Sequence, residues 1–291
     1  MRGPTLEHLK AAFTTFDPEL YIPVTLLSFQ MNYLISGLES WSYHLVNVIL
    51  QGLNAVLVFF ILKRMTKAPR ASLFAATLFA IHPINTEAVV WIAARKDLLS
   101  TFFALLGVLA YLKRTTGGWI LGFILFLMAL LAKVSIAPLP IALLLMDRLQ
   151  GKTWNMKSLW KIVPFLLLSI SFIAGALLGK ERIVHTSNLS ETFLLIPRAT
   201  LFLLGKFLLP GNLSPLYEVS DPITIANPAI FVPILALIAF LILSIFATAT
   251  PFCWKLSAHP VYPLIFWSWE QPTRVRTPWE HCALPSSASE P

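Results

Sequence analysis

Residues 71–112, ASLFAATLFAIHPINTEAVVWIAARKDLLSTFFALLGVLAYL, decide how this chain folds. Two apolar runs flank the centre HPINTEAVVWIAARKD, 82–97, which carries His82, Glu87, Arg95, Lys96 and Asp97. Pro83 has no N–H to donate, and its ring disfavours helical geometry at His82. The centre is therefore a break between two helices, with NTE as the restart: Asn85 or Thr86 can cap, and Glu87 suits a first turn.

The rest of the chain is unusually poor in charge. Asp, Glu, Lys and Arg make up 12% of the 291 residues and hydrophobic residues 57%, whereas soluble domains are about 25% charged. Mean hydropathy is +0.74. A soluble chain of this length cannot hide so much apolar surface in one core, but apolar runs of about 20 residues cross a bilayer as helices. Such runs recur near 43–62, 71–91, 97–112, 118–132, 134–147, 160–179 and 228–248. They lack the alternation of barrel strands. The expected fold is all-α: a polytopic helical membrane protein with about 7–9 transmembrane helices. Residues 192–209 are apolar but carry Arg198 and Lys206, so they either span or lie flat. Residues 20–38 are interrupted by polar groups and read as interfacial. The expected domains are an extracytoplasmic or interfacial segment at 1–42, a transmembrane domain at 43–250, and an atypical tail at 251–291.

The formal charge of +8 comes from basic residues placed between apolar runs. It reports orientation in a bilayer rather than a nucleic-acid partner. Lys63, Arg64, Lys67 and Arg70 share one loop, Lys113 and Arg114 a second, and Arg148, Lys152, Lys157 and Lys161 a third. Cytoplasmic loops collect such residues, so the 82–97 centre falls on the opposite face. Arg95 and Lys96 run against that trend, as tolerated loop charges or as an anion site. Cys253 and Cys282 have no metal-binding spacing. Asn188 and Asn212 lie in N-x-S sequons, which matter only on a luminal face.

Three groups of residues carry the chemistry. His44, Asn47, Gln51 and Asn54 share one side of the first span and either line a wet cavity or bond to neighbouring helices. If helix continues past Glu87, then Glu87, Trp91 and Arg95 fall on neighbouring faces. Arg95 and Lys96 suit a phosphate, while Glu87 or Asp97 can act as base or metal ligand. A salt-bridged hairpin is the alternative. Lys133, between two apolar runs, either snorkels to headgroups or adds to the anion site.

Four stretches occur in an order that resembles a known family: YIPVTLLSFQMNYLISGLESWSYHLVN, FAIHPINTEAVVWIAARKDLLSTFFALLGVLAYL, LLAKVSIAPLPIALLLMD and LGKFLLPGNLSPLY, over about 20–220. The chain resembles bacterial membrane proteins in which a C-type (GT-C) glycosyltransferase domain precedes tetratricopeptide repeats. These are relatives of the eukaryotic transmembrane O-mannosyltransferases. The resemblance implies a polyprenyl-phosphate sugar donor, with mannose as the candidate sugar, a protein hydroxyl as acceptor, and transfer at the periplasmic or luminal face of a membrane such as the bacterial inner membrane. It implies catalytic roles for Glu87 and Asp97, phosphate binding by Arg95, Lys96 and Lys133, and a cavity lined by His44, Asn47 and His82. No metal ligand is assigned, and a divalent metal cofactor stays open. The sequence departs from the family at Asn85 (often His), Ala94 (often acidic) and Val134 (often Pro). The family also has an earlier span and an acidic loop holding its main carboxylate. Asp17 and Glu19 are the only nearby acids, so a truncated or frame-shifted product is expected. A transporter also fits polar stripes and Pro-broken helices, but the repeat symmetry it requires is not visible. A non-catalytic membrane fragment is the third reading.

Overall fold

A computed structural model describes residues 5–14, 21–151, 156–181, 189–211, 213–214 and 227–249. Asp17, Glu19, Asn188, Asn212, both cysteines and the 251–291 tail lie outside the described residues. Those described are helical, with no strand among them. The helices are α1 (Leu6–Thr14), α2 (Pro23–Ser36), α3 (Ser40–Thr66), α4 (Pro69–Ile81), α5 (Thr86–Val90), α6 (Arg95–Tyr111), α7 (Thr116–Ala132), α8 (Leu139–Leu149), α9 (Met156–Glu181), α10 (Leu189–Leu208) and α11 (Pro228–Ala249). Short 3₁₀ turns occupy Pro83–Asn85, Ile92–Ala94 and Val134–Ile136. The chain divides into two compact units, 1–237 and 238–291. Of the second, only the end of α11 is described.

Two helices of the first unit bury polar side chains and expose apolar ones. On α3, Asn47 and Asn54 are fully buried and Gln51 nearly so, while Leu45, Val48, Leu53, Val56 and Phe60 are exposed. The same inversion holds on α2, where Thr25, Gln30 and Asn32 are buried and Met31, Leu34 and Ile35 exposed. Water would reverse this arrangement; hydrocarbon favours it, because side-chain polar groups then find partners only inside the bundle. α2, which makes up most of the stretch expected to lie at the interface, packs against α3, α6 and α7.

Fewer helices can cross a bilayer than the apolar runs suggest. Among the described residues, α3 and the Leu159–Leu177 part of α9 are long and apolar enough. A third span exists if α4 and Pro83–Val90, bent by 46°, count as one. This corrects the expected 7–9. The apolar runs are continuous in sequence, but Pro83, Trp91 and Lys133 cut them into shorter helices. α6 and α7 have 17 residues each, rising about 25 Å at 1.5 Å per residue, and α6 begins with three charges.

Two ends of the bundle are distinguishable. At one, Tyr111 Oη donates to Asp147 at 2.8 Å, Arg114 meets Gln150, and Trp119 Nε1 donates to the Lys161 carbonyl at 3.0 Å. These contacts gather the basic α6–α7 turn, the end of α8 and the start of α9. At the other end, Lys133 after α7 meets Asp97 at the start of α6. Between them lies an apolar core in which Phe165 of α9 makes edge-on contacts with Tyr111, Trp119 and Phe123, and Phe126 and Leu130 are fully buried.

The α6–α7 hairpin closes on glycine. A Cβ on Gly122 would sit 3.2 Å from the Gly107 carbonyl oxygen, and one on Gly118 only 2.6 Å from that of Ala110. Gly118→Ala is expected to cost about 1–3 kcal/mol through overpacking against backbone that cannot yield. Thermal unfolding of the purified full chain in detergent measures this; an unchanged melting temperature would show that the helices do not approach so closely.

Candidate functional site

The 82–97 centre folds as two helix breaks in succession, and each break releases backbone carbonyls. Pro83 cannot donate to the Phe79 carbonyl four residues earlier. That oxygen accepts instead from Asn85 Nδ2 at 2.7 Å and Gln51 Nε2 at 3.4 Å, and Gln51 also reaches the Ala80 carbonyl. His82 Nδ1 accepts the Ile84 N–H at 3.2 Å. With Nδ1 accepting, Nε2 is left to donate to the Phe207 carbonyl at 3.0 Å, and the two rings stack. The second break is at Trp91, whose backbone is extended (φ −82°, ψ 115°). Asn47 Nδ2 covers it, donating to the Val89 and Trp91 carbonyls at 3.3 Å each. The polar side of α3 is thus occupied with backbone freed by its neighbours. Asn54 Nδ2 continues the pattern onto the Leu98 carbonyl at 3.1 Å, while its buried Oδ1 finds no donor among the described residues.

Because helix stops at Trp91, Glu87 and Arg95 do not share one helix. Arg95 points inward and is fully buried. Nε donates to Asn47 Oδ1 at 3.1 Å, Nη2 to Asn32 Oδ1 at 2.9 Å and to the Tyr43 carbonyl at 3.0 Å, and Nη1 to the Ser28 carbonyl at 3.4 Å. The guanidinium also lies over the Phe29 ring at 4.5 Å and the Tyr43 ring at 5.4 Å. Every acceptor is uncharged, so a full positive charge sits inside the bundle without a carboxylate. Four hydrogen bonds and two aromatic faces offset its desolvation. Ser28, Phe29, Asn32 and Tyr43 were not among the expected site residues. The sequence signal for Ser28 and Asn32 was SFQMN, polar groups inside an apolar stretch.

The remaining charges lie closer to the surface. Asp97 and Lys133 form an ion pair, both half-buried. Lys133 follows directly on α7, whose last carbonyl, that of Ala132, is taken by Thr25 Oγ1 at 3.0 Å. Glu87 is exposed, and Lys96 and His44 are half-buried; none of their side chains has a hydrogen-bond or ion-pair partner among the described residues. The structure thus joins Arg95 to Asn47 and Asp97 to Lys133, and ties His82 to α10. Among the described residues, Glu87 and Lys96 are left as an unpaired acid and an unpaired cation. No three His, Cys, Asp or Glu side chains among the described residues come together as a metal-binding set.

A segment of this chain is similar to animal proteins. It is 44% identical over 93 residues to protein O-mannosyl-transferase TMTC3 of Mus musculus, covering 32% of this chain and 10% of that protein. It is 45% identical over 93 residues to protein O-mannosyl-transferase tmtc2 of Xenopus laevis, covering 32% and 11%. With protein O-mannosyl-transferase Tmtc1 of Drosophila melanogaster it shares 42% over 115 residues, covering 38% and 13%. The matched segment therefore spans roughly a tenth of these relatives' length. No family model and no solved structure matches the chain.

Proposed function

We propose that this chain is part of a membrane glycosyltransferase of C type that moves mannose from a polyprenyl phosphate to a protein hydroxyl at the non-cytoplasmic face. The observation that carries the reading is the identity of 42–45% to proteins named O-mannosyl-transferases. The three relatives named above are animal proteins.

The chemistry needs a proton acceptor and a cationic hold on the leaving phosphate. The acceptor oxygen bonds to the anomeric carbon while the bond from that carbon to the phosphate oxygen breaks. The electron pair leaves with polyprenyl phosphate, and the hydroxyl proton passes to Glu87, an exposed carboxylate with no partner among the described residues. Lys96 and Lys133 neutralise the phosphate as its charge grows, an effect worth several kcal/mol in a water-poor site. Asp97 positions Lys133, and Arg95 adds an uncompensated positive charge from within the bundle. His44, Asn47 and His82 shape the surrounding wall.

The test is transfer by the complete protein in proteoliposomes, supplied with labelled mannosyl polyprenyl phosphate and a Ser/Thr-rich peptide. Label is expected on the peptide, with one polyprenyl phosphate released per mannose. Transfer no greater than in protein-free vesicles would sink the reading.

A further inference from the structure

Six cations gather at the end of the bundle away from the Asp97–Lys133 pair. Lys63, Arg64, Lys67 and Arg70 lie on the α3–α4 turn, Lys113 and Arg114 on the α6–α7 turn, and all are exposed. The two turns are neighbours, because Ile61 and Met65 in the last turns of α3 pack into the same apolar cluster as Tyr111 and Leu112 at the end of α6. Lys63 lies over the Phe59 ring at 5.6 Å, and Arg114 meets Gln150. None of the six pairs with a carboxylate among the described residues. Asp147, an acid at this end, is buried and accepts from Tyr111 Oη.

Two features set this patch apart from charges that merely orient a helix in the bilayer. Lys63 and Arg64 suit the negative end of α3, but Arg70 stands in the first turn of α4, where the helix dipole opposes a cation. Among the described residues, Lys67 (φ 58°) and Arg114 (φ 61°) are the non-glycine residues with left-handed backbone, one in each turn. Glycine takes that conformation without strain. The chain places a cation at each position instead, and so keeps charge where the fold alone disfavours it. An anion held between the turns would relieve the crowding of like charge.

The depth of the patch selects a lipid. α3 has 27 residues, about 40 Å at 1.5 Å per residue, which is close to the thickness of a bilayer with its headgroups. The cations at its end therefore sit at headgroup depth. Exposed Phe60, Leu73 and Phe74 flank them on α3 and α4, so an acyl chain finds apolar surface beside the charge. Clusters of Lys and Arg next to a membrane span attract anionic headgroups, and the planar fork of Arg matches a phosphate.

We infer that the α3–α4 and α6–α7 turns together bind the headgroup of an anionic phospholipid, with its acyl chains along α3 and α4. The inference is independent of the transferase reading, since it concerns the end of the bundle opposite Asp97 and Lys133.

The test uses the full chain in a neutral maltoside detergent with fluorescently labelled dioctanoyl phosphatidylserine, read by anisotropy. Saturable binding is expected, competed by unlabelled dioctanoyl phosphatidylserine and not by dioctanoyl phosphatidylcholine. It should weaken as salt rises, since charges are screened beyond about 10 Å at 0.1 M and about 3 Å at 1 M. Each cation near an anionic headgroup is worth roughly a fivefold factor in affinity. Arg70→Gln and Lys113→Gln, one from each turn, should each lose about that much. Lys67→Gly should lose as much while melting no lower than wild type, because glycine accepts the left-handed backbone. Lys10→Gln, which removes an exposed charge on α1, should change nothing. Equal competition by phosphatidylcholine would overturn the inference, because the turns would then not read charge. Competition by glycerophosphoserine at the same concentration as the lipid would overturn it in favour of a soluble anion, and competition by an oligoglutamate peptide in favour of an acidic protein. Full binding by Lys113→Gln would overturn the joint site.

Discussion

Arg95→Ala is expected to unfold a large fraction of the protein, as a lower melting temperature of the full chain in detergent. The side chain is fully buried and joins three helices: α6 through its own backbone, α2 through Asn32 and the Ser28 carbonyl, and α3 through Asn47 and the Tyr43 carbonyl. The two helix carbonyls keep their intrahelical partners when the guanidinium goes. The two amide oxygens do not, and each buried orphan costs roughly 1–3 kcal/mol. A cavity also opens against Phe29 and Tyr43, so the total should reach about 3–5 kcal/mol. Arg95→Lys is the informative comparison. It keeps the charge but not the planar fork that reaches Asn32 and Asn47 together, so it should melt close to Arg95→Ala. A lysine variant as stable as wild type would show that charge alone matters there. An alanine variant as stable as wild type would refute the clamp.

The same residue shows what the sequence discloses and what it conceals. Helical class, the break at Pro83 and the clustering of charge in 82–97 are local properties, and the structure has all three. The direction in which Arg95 points is not local. It depends on a second break, at Trp91, which no proline or glycine announces. With that break, the four-residue relation between Glu87 and Arg95 disappears, and the partners of Arg95 lie 48 and 63 residues earlier in the chain. The ion pair of Asp97 with Lys133 is equally remote, 36 residues apart. The polar side of α3 was legible as a stripe. Its use in covering carbonyls freed by neighbouring helices was not, because those carbonyls exist only once α4, α5 and α6 are broken where they are. The number of spans was overestimated for the same reason: apolar runs measure composition, and helix length is set by the breaks.

Glu87→Gln is expected to remove transfer while leaving the protein folded, the reverse of the Arg95 result. Glu87 is exposed and no described side chain depends on it, so exchanging one oxygen for an amide should change the melting temperature by little. Its proposed task is to accept the acceptor hydroxyl's proton, which glutamine cannot do. Loss of a positioned general base lowers rates by about 10²–10⁴-fold. The loss should fall on kcat, with KM for the mannosyl donor nearly unchanged, because Glu87 has no role in holding the phosphate. Lys133→Ala in the same complete protein should differ, raising KM and lowering kcat together, since a phosphate contact acts on both the bound donor and the departing group. Asp97→Asn should follow Lys133→Ala rather than Glu87→Gln if its task is to position the lysine. Transfer by Glu87→Gln at the wild-type rate would remove Glu87 as the base. A rise in KM with kcat intact would move Glu87 to the donor-binding group.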